Sequence, residues 1–345
     1  MKVIVTGVAG FIGSHVATRF LSQGATVVGI DNLSRPGSRD NLNCLADWQK
    51  QLVFHHTDVR SATDMAGLFA QHQDTDVVIH EAAQVAVTSS VSDPRTDFEV
   101  NALGTFNVLE AARQYTPQAV FLYASTNKVY GQLEHLCVRE GLTRYEYTEA
   151  TRGIDESESM DFHSPYGCSK GCAEQYVRDY HRIYGLKSVV FRQSCVYGTR
   201  QFGVEDQGWV AWFIIASVLG RPLTIYGDGK QLRDLLWVDD LIDLYLKAIA
   251  SIETTAGQIY NAGGGASNTL SLLELLDILR SYLGRSIAVR FSAWRPGDQK
   301  VFVSDCEKAR RELGWSPKTA PVEGVTVLLR WAEESRDLLA RLNSD

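Results

Sequence analysis

This 345-residue chain has no apolar run long enough for a bilayer. The greasiest stretch, Trp209 to Leu219, falls far short of the ~20 residues a membrane span requires, and it reads as a buried helix. Basic charge is scarce too. Lys and Arg total 34 against 41 Asp and Glu, a formal net charge of -7. Phosphate-backbone binding leaves a basic footprint, so nucleic acid is not an expected partner. The six cysteines form no disulfide framework, and no Cys/His cluster has the spacing of a closed zinc site. No metal is expected, and the thiols are read as packed and reduced in a cytoplasmic protein. Internal repeats and low-complexity tracts are absent. The opening Met1–Thr6 runs straight into a strand rather than a signal peptide.

What is there is a large core: 45% of residues are hydrophobic, enough for two lobes. Over the first ~190 residues short β-branched runs alternate with helical patterns, which predicts βαβ units and a parallel sheet. The strands are expected at 2–6, 26–30, 52–56, 76–80, 119–124 and 188–192. Helices are expected at 11–23, closed by Gly24, at 101–113 and at 165–184. The fold class is therefore α/β, a Rossmann-type doubly wound parallel sheet over residues 1–195, with a later segment, about 236–262, returning to it. Residues 196–345 form mainly a smaller mixed lobe that binds substrate. The polar segment 132–163 reads either as a solvated loop or as a flap whose end nears the site. Gly263–Gly265, ahead of a capping box at Ser271 and Glu274, reads either as a phosphate cradle or as a plain turn.

Thr6-Gly7-Val-Ala-Gly10-Phe-Ile-Gly13 follows the first strand and opens the first helix. Helix N-termini present free N–H groups and partial positive charge, so they bind pyrophosphate, and glycines permit close backbone approach. Asp31 ends the second strand, where a carboxylate bonds ribose hydroxyls and repels a 2′-phosphate. Arg35 and Arg39 argue the other way. The acid at the strand tip is the more direct signal, and the cofactor expected is NAD. Asp58 and Val59, after the third strand, either border the adenine or form an ordinary turn.

Tyr166 and Lys170 sit at i and i+4 and share one helix face. A free phenol has a pKa of about 10 and is a poor base near neutrality. A fixed ammonium at ~4 Å and an effective dielectric of ~20 is worth up to ~4 kcal/mol, enough to bring Tyr166 toward operating pH.

In order along the chain stand Gly7/Gly10/Gly13, His80-Glu-Ala-Ala83, Asn101-Ala-Leu-Gly104, Ser125-Thr126-Asn-Lys-Val-Tyr130-Gly131, Tyr166-x-x-x-Lys170, Asp228-Gly-Lys-Gln-Leu-Arg233-Asp234 and Arg295-Pro-Gly-Asp298. The ordered set resembles the extended short-chain dehydrogenase/reductase family, the nucleotide-sugar epimerases and dehydratases, over essentially the whole chain. Glu81 departs from the apolar residue usual at its position. Ser125–Gly131, Asp161–Gly171, Arg200-Gln-Phe202 and Asp206-Gln-Gly-Trp209 resemble its CDP-paratose 2-epimerase (CDP-tyvelose epimerase) branch. In the 4,6-dehydratases an Asp-Glu pair follows the hydroxyl residue. Here Asn127 and Lys128 stand there, so the acid and base for eliminating water are missing.

The resemblance implies a catalytic trio of Thr126, Tyr166 and Lys170. It implies NAD held by Gly7, Gly10, Phe11, Ile12, Gly13, Asp31, Asn32, Asp58, Val59, Ala82, Ala83, Gln84 and Asn101 together with Tyr166 and Lys170. It implies a nucleotide sugar, a CDP-hexose by preference, met by Asn127, Gln201, Phe202, Trp209, Arg233 and Arg295. Arg233 and Arg295 read as a diphosphate grip or as structural ion pairs, with Asp234 or Asp298 among the partners, and Trp209 as pocket wall or core. A homodimer or homotetramer is expected. Three other readings stay open: a UDP-sugar 4-epimerase with the same trio, a net dehydrogenase or ketoreductase, and an NAD-sensing regulator without turnover.

Overall fold

The computed structural model describes residues 1–149, 152–295 and 298–343. Seven strands make the main sheet: β1 (Lys2–Thr6), β2 (Thr26–Asp31), β3 (Leu52–His56), β4 (Val77–His80), β5 (Val120–Thr126), β6 (Lys187–Gln193) and β7 (Ile259–Ala262). Their order is β7-β6-β5-β4-β1-β2-β3. This is the doubly wound arrangement expected from sequence, and its strand order reverses between β1 and β4. Ligands of open α/β sheets bind outside the strand ends at such a reversal. The register places Thr6 of β1 between Ile30 of β2 and His80 of β4. His80 in turn lies beside Tyr123 of β5. Asp31 and the Ser125–Thr126 end of β5 therefore emerge on the same rim as the glycine turn.

The strands form here because they are short β-branched runs with both faces covered: β4 and β5 are buried at every residue. The helix Phe11–Ser22 starts at Gly10 and is closed by Gly24 at φ 81°. The long helix Pro165–Tyr184 has its N-cap in Ser164, whose hydroxyl accepts the Gly167 N–H at 3.1 Å. Proline sits at its first position, and Gly185 closes it at φ 71°. Tyr166, Lys170, Ala173, Val177 and Tyr180 make its buried stripe, at the i, i+3, i+4 spacing of an α-helix. The helix expected from Asn101 begins earlier, as a π-helical turn over Glu99–Leu103 that continues as α-helix over Gly104–Tyr115.

The chain divides into two compact units: Met1–Val129, Phe162–Arg192 and Ile242–Tyr260 in one, Tyr130–Asp161, Gln193–Leu241 and Asn261–Asp345 in the other. Two open readings are narrowed within them and one expectation is corrected. The polar segment 132–163 is not a plain loop. It contains a hairpin, Val138–Glu140 with Tyr145–Tyr147, and buries Tyr145 against Leu232, Val301 and Val303. Gly263–Gly265 is no phosphate cradle. The Gly265 N–H donates to the buried Asp234 carboxylate, and a Cβ on Gly263 would stand 2.3 Å from that same carboxylate. An anion there would meet a negative charge. The cysteines are free, but Cys44, Cys137 and Cys168 are exposed rather than packed. The capping box at Ser271 and Glu274 forms as expected. Among the described residues no helix is long and apolar enough to cross a membrane, and Trp209–Leu219 is a buried helix.

One interaction ties the long helix to the sheet. Glu174, fully buried, receives Arg192 of β6 at 2.7 Å and the Ser125 hydroxyl of β5 at 2.7 Å. Breaking a buried pair strands the remaining charge. Arg192→Met is therefore expected to cost about 3–5 kcal/mol in urea unfolding. Adding Glu174→Leu to Arg192→Met should restore most of that loss, because the stranded charge is then gone.

Candidate active site

The rim described above gathers the glycine turn, Asp31, and the ends of β4 and β5 with the long helix. Gly7 takes φ +72°, and a Cβ there would stand 2.8 Å from the Ala82 nitrogen. A Cβ on Gly13 would stand 2.0 Å from the Gly7 carbonyl oxygen. Side chains would fill this turn; glycines keep it open at the N-terminus of the first helix, where Phe11 and Ile12 are the first residues. Such a cradle fits a dinucleotide pyrophosphate. Asp31 is fixed by the Ala9 N–H at 3.0 Å and the Leu33 N–H at 2.7 Å. Burial raises its pKa and these two donors oppose the rise. A carboxylate has about four lone-pair sites, so Asp31 retains acceptors for ribose hydroxyls. Asn32 donates to Asp58 at 2.8 Å, and Arg60 grips Asp58 at 2.9 Å. Val59 is buried beneath Gly104, and its carbonyl accepts from Asn107 at 3.0 Å.

Ala82 donates its N–H to Thr6 at 3.2 Å, and Ala83 and Gln84 follow in the same partly buried turn. Gln84 and Asn101 spend their polar groups inside the chain. Asn101 pairs with both backbone groups of Gln84, at 2.9 and 3.0 Å, and also donates to Asp97 and Ser169. The Gln84 amide bonds Ala86 and Asp97. These two residues hold the loop after β4 in shape.

The Tyr166 hydroxyl hydrogen-bonds Thr126. Thr126 also caps the turn that follows it, accepting the Lys128 N–H at 3.2 Å, and its one proton is shared between Tyr166 and Asn127 Oδ1, 3.4 Å away. It is therefore a turn cap and a partner of Tyr166 at once. Lys170 lies 4.4 Å from the centre of the Tyr123 ring, and the Tyr123 hydroxyl donates to the Lys170 carbonyl at 3.3 Å. The expectation that Lys170 brings the phenol toward neutral pH is corrected. Burial pushes Tyr166 up to about 12; the Thr126 bond opposes this and the Asp97 charge adds to it. Burial likewise pulls Lys170 down to about 8 against the charges of Glu81, Asp97 and Glu174. Desolvation disfavours the charged form of both groups, so the pair rests as phenol and a loosely held ammonium.

Several residues here escaped the sequence reading. Asp97 and Ser169 lie beneath the pair. Glu174 stands at i+4 from Lys170, and an acid on a buried helical stripe was the signal available. His80 connects Thr6 at 2.6 Å to Thr105 at 2.9 Å.

In the second unit the expected substrate residues divide. Arg233 is buried on Asp298 at 2.6 Å and on the Gln299 and Leu232 carbonyls, which is the structural ion pair rather than a free grip. A guanidinium that is 7% exposed needs such partners. Arg295 is more open. It lies 4.0 Å from the Tyr226 ring centre and 3.2 Å from Asp206. Gln201 donates to the Val196 carbonyl at 3.2 Å and leaves its own carbonyl oxygen buried without a partner. Phe202 packs on Trp331 and Trp209 edge-on to Phe213; the Trp209 indole N–H is buried and unpaired.

Residues 3–263 match the model of the NAD dependent epimerase/dehydratase family. The chain belongs to this family. It is 46% identical over 338 residues to CDP-paratose 2-epimerase of Salmonella typhi, covering 96% of this chain and 99% of that protein. UDP-glucose 4-epimerase of Thermotoga maritima, solved with UDP-glucose, superposes with a TM-score of 0.84 at 30% identity, covering 97% of this chain and 100% of that one. dTDP-glucose 4,6-dehydratase of Streptomyces venezuelae, solved with NAD and TYD bound, gives 0.85 at 30% identity over 99% and 100%. Among the described residues no cluster of His, Cys, Asp and Glu can hold a metal ion.

Burial holds His80 well below the usual histidine range, at about 3, and the Lys170 charge adds to this. The unfolded chain, with a histidine near 6.5, then binds a proton that the folded chain does not. Stability is thus full above pH ~6.5 and lost as pH falls toward 3. The free-energy difference between wild type and His80→Gln should shrink by about 1.4 kcal/mol per pH unit between pH ~6 and ~4. Chemical denaturation at several pH values measures it; a pH-independent difference would mean His80 is charged in the fold.

Proposed function

We propose that this chain is an NAD-dependent nucleotide-sugar epimerase that inverts C2 of a CDP-hexose. The observation that carries the reading is Thr126-Asn127-Lys128 beside Tyr166 and Lys170: the trio for moving a hydride and a proton is present, and the acid pair for eliminating water is not. The likeness to CDP-paratose 2-epimerase supports the choice of carbon and base. The glycine turn and Asp31 would hold NAD, which when bound would supply a hydride acceptor and donor. Tyr166, once ionised to its phenolate, takes the sugar hydroxyl proton as the carbon gives up its hydride. Thr126 would hold the reacting oxygen, and Lys170 would hold the cofactor ribose. The keto-sugar then turns to present its other face, and Tyr166 returns the proton. Arg295 serves as the diphosphate anchor, since its guanidinium is the more open of the two candidates and suits bidentate pairing.

Substrate deuterated at C2 should keep its label through inversion, because hydride leaves and returns to the same carbon. NMR of the products decides it. Inversion at C4 of a UDP-sugar with no action at C2 would favour the 4-epimerase reading instead. Tyr166→Phe should abolish turnover while cofactor retention persists, since the ring still packs and only the acid/base oxygen is lost.

The same reading extends to assembly. Phe98, Leu103, Phe106, Tyr176, Ile183 and Tyr184 are exposed on neighbouring helices, with Phe106 and Tyr176 stacked edge-on at 5.7 Å. A second copy of the chain is the partner we assign to this apolar face. Light scattering should give a dimer or tetramer, and Phe106→Glu with Tyr176→Glu should shift it to monomer.

A further inference from the structure

We propose that Asp97 is a positioning residue: its buried carboxylate is a counter-charge of the Lys170 ammonium and, through Ser169, fixes the helical turn that carries Tyr166 and Lys170. The inference rests on the reading of that pair given above. Asp97 is 1% exposed and Lys170 3% exposed. Asp97 accepts Gln84 at 2.9 Å and Asn101 at 3.1 Å on one oxygen, and the Ser169 hydroxyl at 2.5 Å on the other. These partners come from the loop after β4, the π-helical turn and the long helix, and all are neutral. Among the described residues neither Asp97 nor Lys170 makes an ion pair. An isolated buried charge is costly, so a cation and an anion in the same core offset each other even without contact, here together with Glu81. They are linked by a single residue, because Ser169 precedes Lys170.

Of the other groups facing Lys170, Glu81 shares that role and exerts the larger charge effect. Glu174 is committed to Arg192 and Ser125. Glu81, at the end of β4, is only partly buried and bonds the Tyr245 hydroxyl at 2.6 Å. His80 is neutral, and Tyr123 and Tyr166 are phenols. Glu81 therefore contributes charge, whereas Asp97 contributes charge and a bond into the helix itself.

Two measurements test this without turnover. The first is competitive acetylation of Lys170 across pH, read by peptide mass spectrometry on the purified full chain. Asp97→Asn keeps the size and removes the charge, and should lower the labelling midpoint of Lys170 by about one pH unit. Ser169→Ala, which removes a bond and leaves the carboxylate, should leave the midpoint in place. A midpoint unmoved in Asp97→Asn would make Asp97 a scaffold residue only. The second is a double-mutant cycle in urea, which holds even where Asp97→Asn alone folds poorly. Lys170→Met strands Asp97, so adding Asp97→Asn should make that variant more stable, and a further loss of stability would overturn the proposal. A protein that interconverts no nucleotide sugar would defeat the functional reading and leave both measurements interpretable.

Discussion

The burial of one lysine governs much of this site. Lys170 sits under the Tyr123 ring on a helix face that is otherwise core, where an ammonium is expensive. Around it the chain places what that charge demands. Carboxylates stand at Asp97, Glu81 and Glu174, an uncharged histidine stands at position 80, and a phenol provides its π-face. Even Glu174 needs Arg192, so the compensation spreads from the helix into β5 and β6. The alternative, an apolar residue at 170, would pack more cheaply. That the expensive residue is kept, four positions from Tyr166, is a physical argument for chemistry there.

The same burial explains why the helix pattern gave the pair but misjudged its titration. A sequence places Tyr166 and Lys170 on one face and supplies a Coulombic estimate. It does not supply the desolvation that opposes ionisation of both. With burial dominant, the phenol is held near 12 rather than near neutrality. For Tyr166 to act as a base, the charge around it would have to change. A cation brought beside Tyr166 would favour its phenolate.

The strands and the long helix were legible because each is dictated locally, by β-branched runs, by Ser164-Pro165 at one end and by Gly185 at the other. The glycine turn was legible because spacing and context coincide. Asp97 was not, since an acid on a short helix after Asp93-Pro94 looks like a solvated first turn; only the fold turns it inward onto Ser169. The π-helical turn was equally hidden, because Asn101-Ala-Leu-Gly104 suits an ordinary helix. Arg233 was left between two readings, a phosphate grip and an ion pair, and the fold brings Asp298, 65 residues on in sequence, onto its guanidinium.

The hydrogen bonds through His80 have one consistent direction. Thr105 gives its only proton to the Asn101 carbonyl at 2.6 Å, so it must accept from His80 Nε2. A neutral imidazole then has Nδ1 free to accept, and Thr6 donates to it while receiving the Ala82 N–H. The chain of donors thus runs Ala82, Thr6, His80, Thr105, Asn101, from the wall of the glycine turn to the π-helical turn. A second proton on His80 would put two donors against Thr6, break the run at its centre and place a cation beside Lys170. Burial first and the lysine's field second oppose this, so the charge that makes the site expensive also helps keep His80 neutral, while Thr105 sets its tautomer.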